Sequence, residues 1–211
     1  MVIKKKLAIL GAGGFGREVY HLINKDFYDV VGFIDNQNTI ENLPVSIIGG
    51  DVIIESLRTK EIAEYLAIAI GDMKARRKLY NLCKSLNIGL PTIIHSSSTI
   101  LTSSPIGNGT FVFPAAVIMN DCKIGNSVLI NSGVTMGHDV EIGHFSNINP
   151  GVHLAGGIKI GEECMIGIGT SIRENIKIGN RVIIGAGSVV VKNIPDDSLV
   201  YGVPAKNQNI S

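Results

Sequence analysis

The 211-residue chain has no tryptophan, and aromatic residues make up only 5% of it. A core built around large rings is therefore excluded, and a chain that is 45% hydrophobic must pack through many small aliphatic contacts. Charge of one sign is also missing: 19 Lys and Arg face 18 Asp and Glu, for a net charge of +1. That balance, without a long basic run, gives no electrostatic basis for nucleic-acid binding. Only three cysteines occur, Cys83, Cys122 and Cys164. An odd, widely spaced set with no C-x-x-C excludes a disulfide framework and a zinc knuckle, and the three are expected to be small buried hydrophobes. No apolar run approaches the ~20 residues of a membrane span. Lys4–Lys6 precede an apolar run of only Leu7–Leu10, too short for a signal peptide, so the sequence reads as a soluble cytoplasmic protein. Glycine, in contrast, is abundant at 25 residues.

A repeat accounts for the glycine and the aliphatics together. Stepping by six from Ile100 through Ile106, Val112 and Ile118 to Val190 meets an aliphatic residue every time. The position four further on is small or β-branched, as at Ala116, Cys122, Val128, Ser146 and Cys164. Glycine often follows the aliphatic, as at 107, 125, 137, 143, 161, 167, 179 and 185. A period of six matches neither a helix nor a hairpin strand. It matches a chain that turns a corner every six residues, three segments closing one triangular coil of eighteen. Aliphatics then fill the prism, the glycines are expected to supply the freedom the corners need, and stacked coils lie ~4.8 Å apart. On this reading residues 100–191 make about five coils with no long loop inserted.

The first 95 residues read differently. "KKLAILGAGGFGREVYHLI" is strand, glycine loop, helix, with Gly11, Gly13 and Gly16 in G-x-G-x-x-G spacing. "DVVGFID" is a second strand ending at Asp35. Such a loop offers backbone N–H groups to a phosphate, and the acid suits a sugar hydroxyl. The segment is half the size of a full dinucleotide-binding sheet, and nothing downstream resembles a hydride-transfer domain. A nucleotide such as a nucleotide-sugar therefore suits it better than NAD. "EYLAIAIGD" reads as a buried strand running into a loop, and "MKARRKLYNLCKSL" as an amphipathic helix with Arg76, Arg77 and Lys78 on a solvated face. His95 and its serines mark the junction with the repeat.

Within the monotonous repeat, "SGVTMGHDVEIGHF" (132–145) concentrates titratable groups. His138 and His144 are six apart and so occupy equivalent points on successive faces; His153 is out of register with both. They do not converge on a metal within one chain. Asp139 follows His138, and a negative charge there favours the imidazolium, which suits His138 to general-base work. Extended neighbours point apart, whereas a corner brings them together. For His144 and Glu141 an exposed polar turn is an equal alternative.

Nearly the whole chain resembles the bacterial nucleotide-amino-sugar N-acetyltransferases and the related sialic acid O-acetyltransferases of the hexapeptide-repeat superfamily. The resemblance is carried by "GAGGFG" (11–16), "FID" (33–35), "AIGD" (69–72), "NSGVTMGHD" (131–139), "GGIKIG" (156–161), "GAGSVVVKNIPD" (185–196) and "YGVPAK" (201–206). It implies an α/β Rossmann-like N-terminal domain (1–95) that binds the nucleotide-sugar. It further implies a left-handed parallel β-helix acetyltransferase domain with a C-terminal tail (96–211). His138 is then the general base and Asp139 raises its basicity. Gly13, Gly14, Phe15, Asp35, Asn36, Gly71 and Asn131 bind the sugar nucleotide. Gly156 offers an N–H to the acetyl carbonyl, and Asn147, Ile168 and Ala186 border acetyl-CoA. Asn147 departs from the family, some members of which have a second histidine there. The resemblance also implies a homotrimer with sites between subunits, no metal, no nucleic acid and no membrane.

Three other activities fit parts of the sequence. Sugar O-acetylation, on sialic acid or another hydroxyl, uses the same base. A scaffold with an inert prism would not need "GHD" or "GVPAK". A nucleotidyltransferase would carry a basic residue in the glycine loop, and here none occurs before Arg17.

Overall fold

A computed structural model describes residues 3–37 and 40–208, and the chain divides into two compact units, Met1–Ile93 and Ile94–Ser211. In the first unit, strands β1 (Lys5–Leu10), β2 (Tyr28–Ile34), β3 (Ile47–Gly49) and β4 (Tyr65–Ile68) form a parallel sheet in the order β3-β2-β1-β4. Leu7–Leu10 of the central strand are all buried, as a strand packed on both faces requires. Helix α1 (Gly14–Leu22) follows β1, and α2 (Met73–Ser85) follows β4. Asp72 caps α2 by accepting from the Ala75 N–H at 2.7 Å.

Arg76 departs from the expected solvated face. It is fully buried, and its Nη1 donates to the carbonyls of Ile70 (3.0 Å) and Gly71 (3.1 Å). Burial pushes the guanidinium down to about 10, partly offset by the charge of Asp72. The side chain turns back beneath the 69–72 loop and fixes it, which an amphipathic pattern read by residue type alone does not reveal.

The second unit is a left-handed parallel β-helix. Two-residue strands stack at a spacing of eighteen into three faces, as in Val117, Thr135, His153, Ser171 and Val189 on one of them. The faces are joined by corners. The aliphatics at the six-residue step form one continuous core. The glycines after them do not have the left-handed backbone expected of corners. That conformation falls three residues after most of the aliphatics, on glycines such as Gly109, Gly133 and Gly151 and on Ser127, Asp139, Phe145, Glu163, Asn175 and Arg181 alike. The glycines instead allow coils to approach: a Cβ on Gly143 would lie 2.5 Å from the Gly161 carbonyl carbon, and one on Gly167 2.5 Å from the Ala186 nitrogen.

Inside the corners, small polar residues satisfy buried carbonyls. Thr110 and Ser146 donate to the carbonyls of Gly125 and Gly161, both at 2.9 Å. Cys122 and Cys164 do the same for Gly137 (3.1 Å) and Gly179 (3.0 Å). These two cysteines are buried, as expected, but act as hydroxyl substitutes rather than plain hydrophobes. The stack continues past the expected last coil: Ile183 pairs with Leu199, sixteen residues on, so the final coil is two residues short. An antiparallel pair, Leu199–Gly202 with Ala205–Asn207, closes that end.

Candidate active site

The three corners of the prism share one backbone shape but differ in what their side chains do. At the corner holding Asn108, Asn126, His144, Glu162 and Asn180, side chains serve the backbone of the coil below. Asn126 Oδ1 accepts from the Asn108 N–H (3.0 Å), and His144 Nδ1 accepts from the Asn126 N–H (2.8 Å). Asn180 Oδ1 does so for Glu162 (2.9 Å), and Asp196 Oδ1 for Asn180 (3.0 Å). His144 therefore stands in for an asparagine in a structural ladder. Beside it on the adjoining face, Glu141 bridges Lys123 (3.3 Å) and Lys159 (3.1 Å), and these cations hold its carboxyl below the usual range, Lys159 foremost. His153 bonds Thr135 Oγ1 through Nδ1 at 2.8 Å.

His138 sits at a different corner, and its geometry is the reverse. Asp139 adopts the left-handed conformation (φ 59°), which swings its carboxylate round to the imidazole: Nδ1 and Oδ2 are 2.7 Å apart. Because a carboxylate only accepts, Nδ1 carries the hydrogen, and in the neutral ring the lone pair is then on Nε2. Both side chains are more than half exposed. Directly above lies Gly156, where a Cβ would fall 2.6 Å from Nε2 and 2.8 Å from Cε1. Only glycine leaves room for the ring. The chain around Gly156 is pinned, since Gly157 N–H donates to the His138 carbonyl (2.9 Å) and Asn175 N–H to the Gly156 carbonyl (3.0 Å). The Gly156 N–H itself has no acceptor among the described residues. A ring nitrogen and a residue whose amide has no acceptor among the described residues are thus neighbours.

The other residues expected in the site are distributed over other parts of the same prism. Ile168 and Ala186 stack at the third corner, both exposed, with the Gly187 N–H donating to the Ile168 carbonyl at 2.7 Å. Asn131 lies just before that corner, one corner earlier than His138 in its coil, and its amide donates to the Ile148 carbonyl (3.2 Å). Asn147 is nearly buried on a face, paired in register with Leu129 and Met165. Of the prism residues expected in the site, His138, Asp139 and Gly156 are brought together at one corner, and Ile168 and Ala186 at another.

In the first unit the glycine loop, Asp35 and the 69–72 loop follow β1, β2 and β4 at the carboxyl edge of the sheet, the usual place for a ligand crevice. The glycines separate into two kinds. Gly11 and Gly16 are required by packing: a Cβ on Gly16 would fall 1.9 Å from the Gly11 carbonyl oxygen. Gly13, Gly14 and Gly71 face open space, with no atom within 4 Å of an added Cβ. Packing within the chain does not demand glycine there, whereas a ligand lying against the backbone would. Helix α1 begins at Gly14 with no side-chain cap and no acid in its first turn, which suits an anion at its N-terminus beside Phe15. Asp35 braces the loop, accepting from Ala12 N–H (2.8 Å) and Gln37 N–H (2.9 Å). Asn36 pairs with Asp51, accepting from its N–H and donating to its carboxylate, both at 3.0 Å.

Comparison with known proteins decides the family. Residues 6–82 match the PglD N-terminal domain, and residues 157–192 the bacterial transferase hexapeptide (six repeats). The acetyltransferase domain of PglB from Neisseria gonorrhoeae FA1090 is 34% identical over 97% of this chain and 100% of its own, with a TM-score of 0.91. The chain belongs to the PglD-type hexapeptide-repeat acetyltransferases. The same PglB domain has been solved in complex with acetyl coenzyme A. A histidine-to-asparagine mutant of perosamine N-acetyltransferase from Caulobacter crescentus, in complex with CoA and GDP-perosamine, is 32% identical over 97% of both chains, with a TM-score of 0.91. WeeI from Acinetobacter baumannii AYE is 27% identical over 96% of this chain and 99% of its own, with a TM-score of 0.83. No curated protein matches significantly.

In this PglD-type acetyltransferase the cysteines are poorly suited to forming an acyl-enzyme. Burial pushes the Cys83 thiol up to about 12 and the Cys164 thiol to about 11, and raises Cys122 as well. Among the described residues no three His, Cys, Asp or Glu side chains come together as a metal site, and no helix is long and apolar enough to cross a membrane.

Proposed function

We propose that the protein transfers the acetyl group of acetyl-CoA to the amino group of a nucleotide-linked amino-sugar. The single observation that carries this reading is the unpaired Gly156 N–H beside the Nε2 lone pair of His138. The complexes of PglB with acetyl coenzyme A and of perosamine N-acetyltransferase with CoA and GDP-perosamine support it.

In this mechanism the sugar amine attacks the thioester carbon and His138 Nε2 takes the proton that the amine loses. Asp139 stabilises the imidazolium through Nδ1–H. The Gly156 N–H donates to the oxyanion of the tetrahedral intermediate, a type of contact worth ~3 kcal/mol. Collapse breaks the carbon–sulfur bond and the imidazolium protonates the departing thiolate. Gly13, Gly14, Phe15, Asp35, Asn36 and Gly71 hold the nucleotide-sugar.

The complete site takes more than one copy of the chain. His138 and Gly156 stand at one corner of the prism; Ile168, Ala186 and the adjoining Asn131 stand at another. One pantetheine arm meets both groups when the corner of one protomer faces the second corner of a neighbour. Three prisms around a threefold axis give three such grooves, so we assign a homotrimer, with Asn147 facing the acyl end.

The test is thiol release from acetyl-CoA against UDP-, dTDP- and GDP-linked amino-sugars, GDP-perosamine included, with free sialic acid as a separate arm. Release with an amino-sugar nucleotide and an amide product is expected. Release with sialic acid alone would overturn N-acetylation in favour of O-acetylation.

A further inference from the structure

The Gly156–Gly157 doublet forms a notch that two side chains enter from opposite sides. His138 fills the space over Gly156 from the coil below. Asn175 enters from the coil above: its Oδ1 lies 2.4 Å from where a Gly157 Cβ would be, and φ at Gly157 is +71°. Asn175 has the same left-handed backbone as Asp139 and Asp121 in its column (φ 59°, 59° and 58°). The two aspartates spend their carboxylates on the residue before them, Asp121 on Asn120 Nδ2 (2.8 Å) and Asp139 on His138 (2.7 Å). At Asn175 the preceding residue is Glu174, which faces Arg173 instead, at 4.0 Å. The Asn175 carboxamide is thereby left exposed and makes no hydrogen bond to any described residue, although its backbone N–H is fixed to Gly156. With Oδ1 seated in the notch, Nδ2 is directed away from it, one coil above the open Gly156 N–H.

We infer that Asn175 is a cofactor-binding residue that donates from Nδ2 to the amide carbonyl nearest the sulfur of coenzyme A. The inference rests on the proposed acetyl transfer, which places the thioester at Gly156. From the sulfur, two methylenes lead to the first amide of the pantetheine arm, a length comparable with the ~4.8 Å between stacked coils. A carboxamide donor one coil above the thioester meets that carbonyl. The contact sets the distance between the sulfur and the oxyanion donor, so that the thioester carbon stands over His138.

The experiment is titration calorimetry of the full-length protein with two ligands: coenzyme A, and adenosine 3′,5′-bisphosphate, which lacks the pantetheine arm. Asn175→Gly removes the carboxamide while keeping a residue at ease with positive φ, and Asn175→Asp keeps the shape but loses the donor. Both variants are expected to weaken coenzyme A about tenfold, ~1.4 kcal/mol, the scale of one hydrogen bond, and to leave the bisphosphate within twofold of wild type. Unchanged coenzyme A affinity in the variants, or equal weakening of both ligands, overturns the role of Asn175 and leaves acetyl transfer standing. Failure of the wild type to bind coenzyme A overturns both.

Discussion

Two histidines six residues apart occupy the same place on successive corners, yet their chemistry is opposite. His144 Nδ1 accepts a backbone N–H from the coil below, as Asn126 and Asn180 do at the same corner. His138 Nδ1 is turned to the carboxylate beside it, and the amide above it is left open. The corner shape is common to both; what differs is the following residue, Asp139 against Phe145, and the residue eighteen on, Gly156 against Glu162. A repeat fold can therefore turn a structural position into a reactive one with two changes, one that orients the ring and one that makes room above it.

The largest effect should come from breaking the reactive corner. His138→Ala is expected to lower turnover a hundredfold or more, ~3 kcal/mol in barrier, while coenzyme A still binds by calorimetry. Asp139→Asn removes the charge behind Nδ1 and should cost less, measurable as a fall in kcat at unchanged melting temperature. Gly156→Ala sharpens the comparison, because the added methyl meets the imidazole rather than the fold. Turnover should drop at least tenfold with near-normal thermal stability; full activity would remove Gly156 from the site.

At the structural corner the expectation inverts. His144→Ala leaves the Asn126 N–H without its acceptor and should cost ~1 kcal/mol in urea unfolding with turnover unchanged. His144→Asn should restore most of that stability, since asparagine performs the task in other coils. The smallest effect belongs to Glu141. Its lowered carboxyl means the bridge to Lys159 and Lys123 contributes stability above the usual carboxylate range and loses it as pH falls through the folded-state value. Wild type should exceed Glu141→Gln by less than ~1 kcal/mol at pH 7, and the gap should close in acid.

Much of this was legible in the residues. The six-step aliphatics define the prism and its core, because each coil must bury one side chain per face. The pairing of His138 with Asp139 was visible as a possibility, and left-handed φ at Asp139 is what realises it. The functions of the glycines were only partly legible: those directly after the aliphatics, such as Gly143 and Gly167, serve coil-to-coil approach, a fact that depends on neighbours eighteen positions away, whereas the left-handed corners fall two residues later, on Gly133, Gly151 and Gly169 and on non-glycine residues alike. Arg76 escaped for a similar reason, since its acceptors are carbonyls of the preceding loop and carry no side-chain signature. The assignment of His144 stayed open until its partner, the Asn126 amide, was in view. Asn175 gave no signal at all, being one asparagine in a corner position that tolerates many residues.

The shortened final coil bears on a hazard of every parallel stack. A rim of unpaired N–H and C=O groups invites another chain to add its own rung, and repetition of that step makes a fibre. Here Leu199 arrives two residues early, and the strand after it doubles back antiparallel. A regular eighteen-residue rung laid on the Leu199–Gly202 face finds its corners out of step and that strand already paired antiparallel, so the register of the ladder is broken where the chain doubles back.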